Sequence, residues 1–490
     1  MVVATAFQIA SSAAAGNLDR PPGAVGDLTL ETKNVVIEDG TEVEVEAGHL
    51  LVPENRSRQH SPPISIPFYR LRATGERPAS PIFLLAGGPG SSWIDRFENE
   101  ENFAEVQFYR SLADVVLFDQ RGGGHSNPTM SCEEQDRLPL DRPLDRRQRA
   151  AKLQQMSARC RQHWIDAGVD LTGYTTTENV ADVLALRTAL GYEKMTLVGG
   201  SYGSHLALAL MRTAPEAIDR VVLYGVEGVD HTWDDPAGRL AAYERIAGAI
   251  ETSAELGSDV PEIGLVGILE EVIDRLEQEP VAVSVGDGDQ QQQVIVDAEL
   301  VRLLAGFQAG RFSRPNAWPE FLLDLYGGDY SFLARGAMAL RRLELDDPMH
   351  YMMDCASGVS AERAERFRRD PARGVLGDVN FEYEELCRAW KAPDLGSEFR
   401  SAVVSDVPTL VVHGTWDTST PIENAREVVS TLSHGHLLEV IGGNHGALYN
   451  LFERWPPVYD RLGAFLRGEP VRFPSSVTLP RPKLSPRQGD

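Results

Sequence analysis

The stretch MTLVGGSYGSHLALALMRTA, residues 195–214, decides how the rest of the chain is read. Its first half is a short unbroken apolar run, the mark of a strand buried on both faces. Its second half carries small and apolar residues in a run long enough for a helix. Between them, Gly199-Gly200-Ser201-Tyr202-Gly203 fits the pattern G-x-S-x-G. Glycines on either side permit a tight, strained turn that lifts a serine hydroxyl above a sheet. The pentapeptide is short enough to arise by chance, so its weight comes from the strand before it and the helix after it.

Working outward, PIFLLAGG (81–88), ADVVLFDQ (113–120) and RVVLYG (220–225) read as further buried strands. A helix is expected from the capping box Thr175-x-x-Glu178 to Gly191, with Val180, Val183, Leu186 and Leu190 on one stripe. VVIEDGTEVEVEAGHLLV (35–52) alternates around Asp39-Gly40 and reads as a leading antiparallel hairpin. A second block holds the strand PTLVVHG (408–414), a helix near 422–432, the strand HLLEVIGG (436–443) and a terminal helix near 448–467. The text between the blocks is mostly helical, with one hairpin at 281–297 whose turn holds Gln290–Gln293 as a solvated loop.

The expected fold is α/β, a mostly parallel sheet with flanking helices and a large helical insertion. The expected layout is an N-terminal tail (1–34), a core (35–230), a cap (231–400), the rest of the core (401–469) and an extended tail (470–490). Length alone would suggest about three domains. One core of two sequence-distant blocks, plus the cap at 231–400 and the two tails, accounts for the 490 residues instead.

A serine hydroxyl is a weak nucleophile until an adjacent base takes its proton. His445, in Ile441-Gly-Gly-Asn-His-Gly446, directly follows the last expected strand and is the candidate base. Position sets it apart from the other histidines: His413 lies inside a strand, His205 on the helix after Ser201, and His434 and His436 at a strand start. Those last two form H-x-H, but no third ligand lies nearby, so no metal is expected. Asp417, past the penultimate strand, is the candidate acid that would fix the tautomer of His445. An oxyanion needs two N–H donors, and Tyr202 and Gly88 of Gly87-Gly-Pro-Gly90 are placed to supply them.

The order Ser201, Asp417, His445 resembles that of the α/β-hydrolases. The runs LLAGGPGSS, LFDQRGGGHS (117–126), GGSYGS and HGTWDTSTP (413–421) resemble the proline iminopeptidase and tripeptidyl aminopeptidase group, peptidase family S33, over about 45–230 and 400–470. The resemblance implies Ser201, Asp417 and His445 as the triad, Gly88 and Tyr202 as the oxyanion hole, and a structural role for Asp119 and Arg121. Proline iminopeptidases usually have His where Ala86 stands and Trp where Tyr202 stands, and both departures point to the tripeptidyl branch. Where the family commonly has Arg, this chain has His125. Cys132, Cys160, Cys355 and Cys387 lack zinc-ligand spacing, and their placement in that branch implies two disulfides, Cys132/Cys160 and Cys355/Cys387.

By resemblance, the substrate is a small peptide whose free amine meets acidic groups. Glu227, just past RVVLYG, is the tentative substrate-binding residue, with Asp354 a further candidate. The alternative is a carboxylesterase or lactonase acting on an ester of a hydrophobic small molecule. A non-catalytic binding protein would be expected to have lost one of the three residues. With no Walker A sequence and no G-x-G-x-x-G after a strand, no cofactor is expected.

The 72 acidic and 47 basic side chains leave a net charge of −25, which argues against nucleic acid. The composition also excludes a disordered chain, a collagen and a coiled coil. No window approaches the roughly 18 apolar residues of a membrane span. No Lys or Arg precedes Arg20, so residues 1–16 read as a flexible tail, with a remnant export signal as the alternative. The missing positive region favours the cytoplasm, whereas two disulfides would place the protein outside it. The oligomeric state is left open.

Overall fold

The computed structural model describes residues 20–254, 257–286, 291–309 and 317–480. The strands of the first block are β1 (Leu28–Val36), β2 (Glu42–Pro53), β3 (Pro63–Leu71), β4 (Ile82–Leu85), β5 (Val115–Phe118), β6 (Asp136–Arg137), β7 (Met195–Ser201) and β8 (Ile218–Val226). Those that follow are β9 (Val281–Val285), β10 (Gln292–Val296), β11 (Arg342–Leu343), β12 (Thr409–Gly414), β13 (Gly435–Ile441) and β14 (Ser476–Thr478). A ten-stranded sheet runs β1-β2-β3-β5-β4-β7-β8-β12-β13-β14. It is antiparallel from β1 to β5 and parallel from there to β14.

The central strands are buried on both faces, as their unbroken apolar runs require. One apolar cluster covers each face, and the larger continues into the helices between β8 and β12. The helix Thr176–Ala189 starts as its capping box dictates, with the Thr175 hydroxyl accepting from the Glu178 amide, and stops before Gly191 at φ +78°.

Several expectations need correction. β1 begins at Leu28, so the N-terminal tail is shorter than 1–34, and the expected signal or tail at 1–16 lies outside the described residues. β3 was hidden by Pro63 and Pro67, which make its sequence look like a loop. The terminal helix is two helices, Ala447–Arg454 and Pro457–Leu466, because the Pro456-Pro457 pair removes two backbone donors and forces Trp455 out of helical geometry. The tail after Pro470 is not simply extended, since β14 adds an edge strand beside β13. Gln292 and Gln293 belong to β10 rather than to a turn, and Gln290 lies outside the described residues. Residues 231–400 are mainly helical, with β9 and β10 forming the expected hairpin.

Arg121 is fully buried and braces the loops that lead into the sheet. Its guanidinium grips both oxygens of Asp182 at 2.7 Å and donates to the carbonyls of Glu54 and Gly173, each at 2.6 Å, and of Pro53 at 3.3 Å. Every donor direction is used, which is how a buried guanidinium is tolerated. Replacing it with Met leaves buried Asp182 with Arg56 as its remaining guanidinium partner and unpairs the Glu54 and Gly173 carbonyls, and urea denaturation is expected to show a loss of about 3 kcal/mol.

Both disulfides implied by the resemblance are present, Cys132–Cys160 and Cys355–Cys387. They close loops of 28 and 32 residues. On the chain-entropy model each loop contributes about 3–4 kcal/mol, so reduction should lower the unfolding midpoint in calorimetry, and an unchanged midpoint would contradict this.

Candidate active site

Ser201 ends β7 and stands immediately before the helix Tyr202–Thr213. Its backbone lies at φ 54°, ψ −130°, a conformation strained for a residue with a side chain. Close packing enforces the turn. A Cβ at Gly199 would lie 2.3 Å from the Gly203 carbonyl oxygen, and one at Gly203 would lie 2.2 Å from the Leu85 carbonyl oxygen. One at Gly200 would enter the ring of Tyr224, so three of the four residues around the serine have no room for a side chain.

His445 and Asp417 meet at the same carboxyl edge. In the sheet Ser201 is level with Val226, and the His445 imidazole rests against Gly225, where a Cβ would be 2.8 Å from Cε1. The His445 Nδ1–H donates to Asp417 Oδ2 at 2.9 Å, which leaves Nε2 as the basic nitrogen. Asp417 is fully buried and is held by the amides of Ser419 and Thr420 and by the Thr420 hydroxyl at 2.7 Å. Burial alone would raise its pKa, yet the charge and hydrogen bond of His445 outweigh that and draw it down to about 2. Burial likewise depresses His445, but Asp417 prevails and holds the imidazole above its ordinary value.

The Gly87–Gly90 loop lies against the serine, with a Cβ on Gly87 only 3.2 Å from Ser201 Cβ. Gly88 sits at φ +112°. Gln120 secures this loop by donating to the Ala86 carbonyl at 2.9 Å and accepting from the Gly90 amide at 3.3 Å. Asp119 is buried beside it and accepts from the Ser92 hydroxyl and the Ile94 and His125 amides, a bracing role. The His125 side chain is exposed and bonds to Asp95 at 2.6 Å.

With this geometry in place, comparison with known proteins is informative. Residues 80–243 match the alpha/beta hydrolase fold family, and residues 375–451 match the family described as TAP-like protein. The chain has the α/β-hydrolase fold.

Putative hydrolase YuaR of Escherichia coli K12 is 23% identical over 434 residues, 83% of either chain. A proline iminopeptidase of Xylella fastidiosa is 30% identical over 181 residues, 34% of this chain and 43% of that protein. The tripeptidyl aminopeptidase of Streptomyces lividans is 28% identical over 189 residues, 37% of this chain and 35% of that protein. The chain thus matches less than half the length of the two named peptidases.

Around the elbow, Ser204, Asp234 and Tyr383, which local sequence reading did not single out, join Glu227 and Asp354, which it did. Ser204 donates to the Ser201 carbonyl at 2.6 Å and accepts from the Glu227 amide at 2.8 Å, joining the two loops. Glu227 faces a buried acidic group: burial first, then Asp354 and Asp234, push its pKa well above the ordinary carboxylate range. Asp354 is raised to about 6 by burial, against the opposing pull of His350. The Tyr383 phenol is pushed up by burial and by all three acids. His205 gives Glu227 no charge partner, since burial lowers it to about 4. In the sequence Asp234 stands in the run Asp234-Asp235 before a helix and Tyr383 in Phe381-Glu-Tyr383, and neither local pattern points to a site.

The helix Pro348–Ser357 brings Asp354 here because Met353 packs on the elbow, its Sδ 3.0 Å from the Tyr202 hydroxyl. Among the described residues one group has the composition of a metal site, Cys132, Glu134 and Cys160, and its two sulfurs are joined in a disulfide.

The elbow can be tested through its glycines. Gly203→Ala should cost about 1–3 kcal/mol in thermal unfolding, because the new methyl meets backbone that cannot move aside. Gly248→Ala, on the helix Pro236–Glu251 with nothing within 4 Å of a Cβ, should gain about 0.5–1 kcal/mol as the control.

Proposed function

We propose that this α/β-hydrolase is a serine hydrolase of the S33 peptidase type that removes residues from the amino end of small peptides. The observation that carries the chemistry is the strained Ser201 at the same sheet edge as the pair of buried Asp417 and part-exposed His445. Ser201 Oγ attacks a carbonyl as His445 Nε2 accepts its proton. Asp417 holds the imidazole in the Nδ1–H tautomer and stabilises the imidazolium. The Gly88 and Tyr202 amides receive the oxyanion. His445 then protonates the leaving amine, and water releases the acyl group by the reverse sequence.

The acidic group supports an amine-bearing substrate. Glu227, Asp354 and Asp234 concentrate negative charge beside the elbow with no resident cation to neutralise Glu227, so a substrate ammonium would relieve their repulsion. In this reading residues 231–400 are the cap that brings Asp354 and Tyr383 over the core. The two disulfides suit an oxidising compartment.

A fluorophosphonate probe should label the wild-type chain and fail to label Ser201→Ala, with folding preserved by circular dichroism. Turnover in that variant should fall by about 1,000-fold or more. Failure of the wild type to label would overturn the serine mechanism.

Substrate class is tested with aminoacyl and tripeptidyl anilides, their N-blocked forms and aryl esters. Glu227→Gln should raise KM for free-amine substrates by about tenfold or more while leaving aryl ester turnover within about twofold. A protonated carboxyl carries no charge, so amine binding weakens below its pKa. The ratio of kcat/KM for anilide over ester should therefore rise between about pH 5 and pH 7 as Asp354 ionises, with the shared His445 titration cancelling. Ester cleavage with indifference to the amine would favour the esterase reading.

A further inference from the structure

A cavity of about 490 Å³ lies against the loop that carries Asp417. Arg146, Arg239 and Arg302 line it, together with Phe381, Thr418 and Ser419. Thr418 and Ser419 directly follow Asp417, whose Oδ1 accepts from the Ser419 amide, so the cavity and the acid of the Asp417–His445 pair share one loop.

Three guanidiniums on one cavity wall repel one another, and the structure shows what keeps them there. Arg146 donates to the Asp378 carbonyl, pairs with Glu299 and lies 4.7 Å over the Phe381 ring. Arg302 donates to the Val375 carbonyl at 3.0 Å and pairs with Glu277, with Glu299 farther off at 3.9 Å. Arg239 donates through Nε to the Thr418 carbonyl at 3.0 Å and through Nη2 to Asp234 at 2.7 Å. The orienting acids Glu277, Glu299 and Asp234 stand outside the described lining. The carboxylate within that lining, Asp378, is engaged by Arg373 at 2.7 Å. The wall thus carries three guanidiniums, each paired with a carboxylate that is not among the lining residues, and each has five N–H donors to distribute.

Arg239 also ties this cavity to the amine-selecting acids, because the Asp234 it holds is one of the groups that raise Glu227. Negative and positive recognition surfaces thus meet at one Arg239–Asp234 pair. We infer that the arginine cavity binds a carboxylate carried by the peptide, so that the enzyme selects short peptides by both ends, the ammonium at Glu227 and Asp354 and the carboxylate at Arg146, Arg239 and Arg302. The inference rests on the peptidase reading, and its binding test is independent of turnover.

The test uses the full chain as Ser201→Ala, so that ligands are not consumed. Calorimetry compares penta-alanine with a free C-terminal carboxylate against the same peptide as its C-terminal amide. The acid is expected to bind about tenfold more tightly, the size of a lost charged hydrogen bond. Adding Arg302→Gln or Arg146→Gln should close that gap, whereas Arg302→Lys should keep part of it. Circular dichroism checks that each variant folds.

Equal affinity for acid and amide would overturn the inference, as would a gap that survives both glutamine variants. Sodium sulfate separates a free anion from a substrate carboxylate. An Arg302-dependent rise in unfolding midpoint with sulfate, alongside equal affinity for the two peptides, would make this a site for a free anion and overturn the substrate role. If the acid–amide gap is present but the wild type leaves penta-alanine intact, the peptidase reading fails while the carboxylate site stands.

Discussion

A serine forced to φ 54° at the end of a buried strand is the constraint on which the rest of this molecule depends. The conformation is unfavourable in isolation and persists because the surroundings leave no alternative. The strand β7 lies between two parallel neighbours, the following helix presses its Gly203 onto the Leu85 carbonyl, and the Tyr224 ring occupies the space over Gly200. A side chain at any of these contacts would push the helix off the sheet. The part-exposed position of Ser201 is thus a by-product of backbone pressed against backbone.

The neighbouring loops are held by buried polar groups. Asp119 accepts three hydrogen bonds from the loops on either side of it, and Arg121 donates to four residues. These two lie close together in the chain and work in different directions, one toward the Gly87–Gly90 side and one toward the leading strands. Asp417 is held in the same manner, by two amides, a hydroxyl and an imidazole, which is why a fully buried carboxylate stays ionised. The contrast with Glu227 is instructive. It is buried among other acids with no cation of its own, and the same physics drives it the opposite way.

Residues whose signal is local were legible beforehand. Ser201 announces itself through flanking glycines, Thr175 through its capping box, and His445 through its place after the last long strand. β3 and β14 were missed because prolines mask the first and only three residues form the second. Pairing with neighbours already in the sheet stabilises both strands, and no local pattern reports such pairing. The break at Pro456-Pro457 was a local signal, overridden in the reading by the apolar stripe on each side of it.

The sequence by itself determined the order of the central strands, the elbow and the three residues proposed for the chemistry, because each depends on a few neighbouring residues and on hydrophobic period. It also raised Glu227 and Asp354 as separate, unremarkable acids. Only the tertiary structure decided that they lie close enough to Asp234 and Tyr383 for their charges to interact, and that three arginines from distant segments line one cavity that Arg239 ties to Asp234. The physical reason is that charge interacts through space. Which carboxylates repel and which guanidiniums converge is set by how the helices of residues 231–400 pack on the elbow, through contacts such as Met353 on Tyr202.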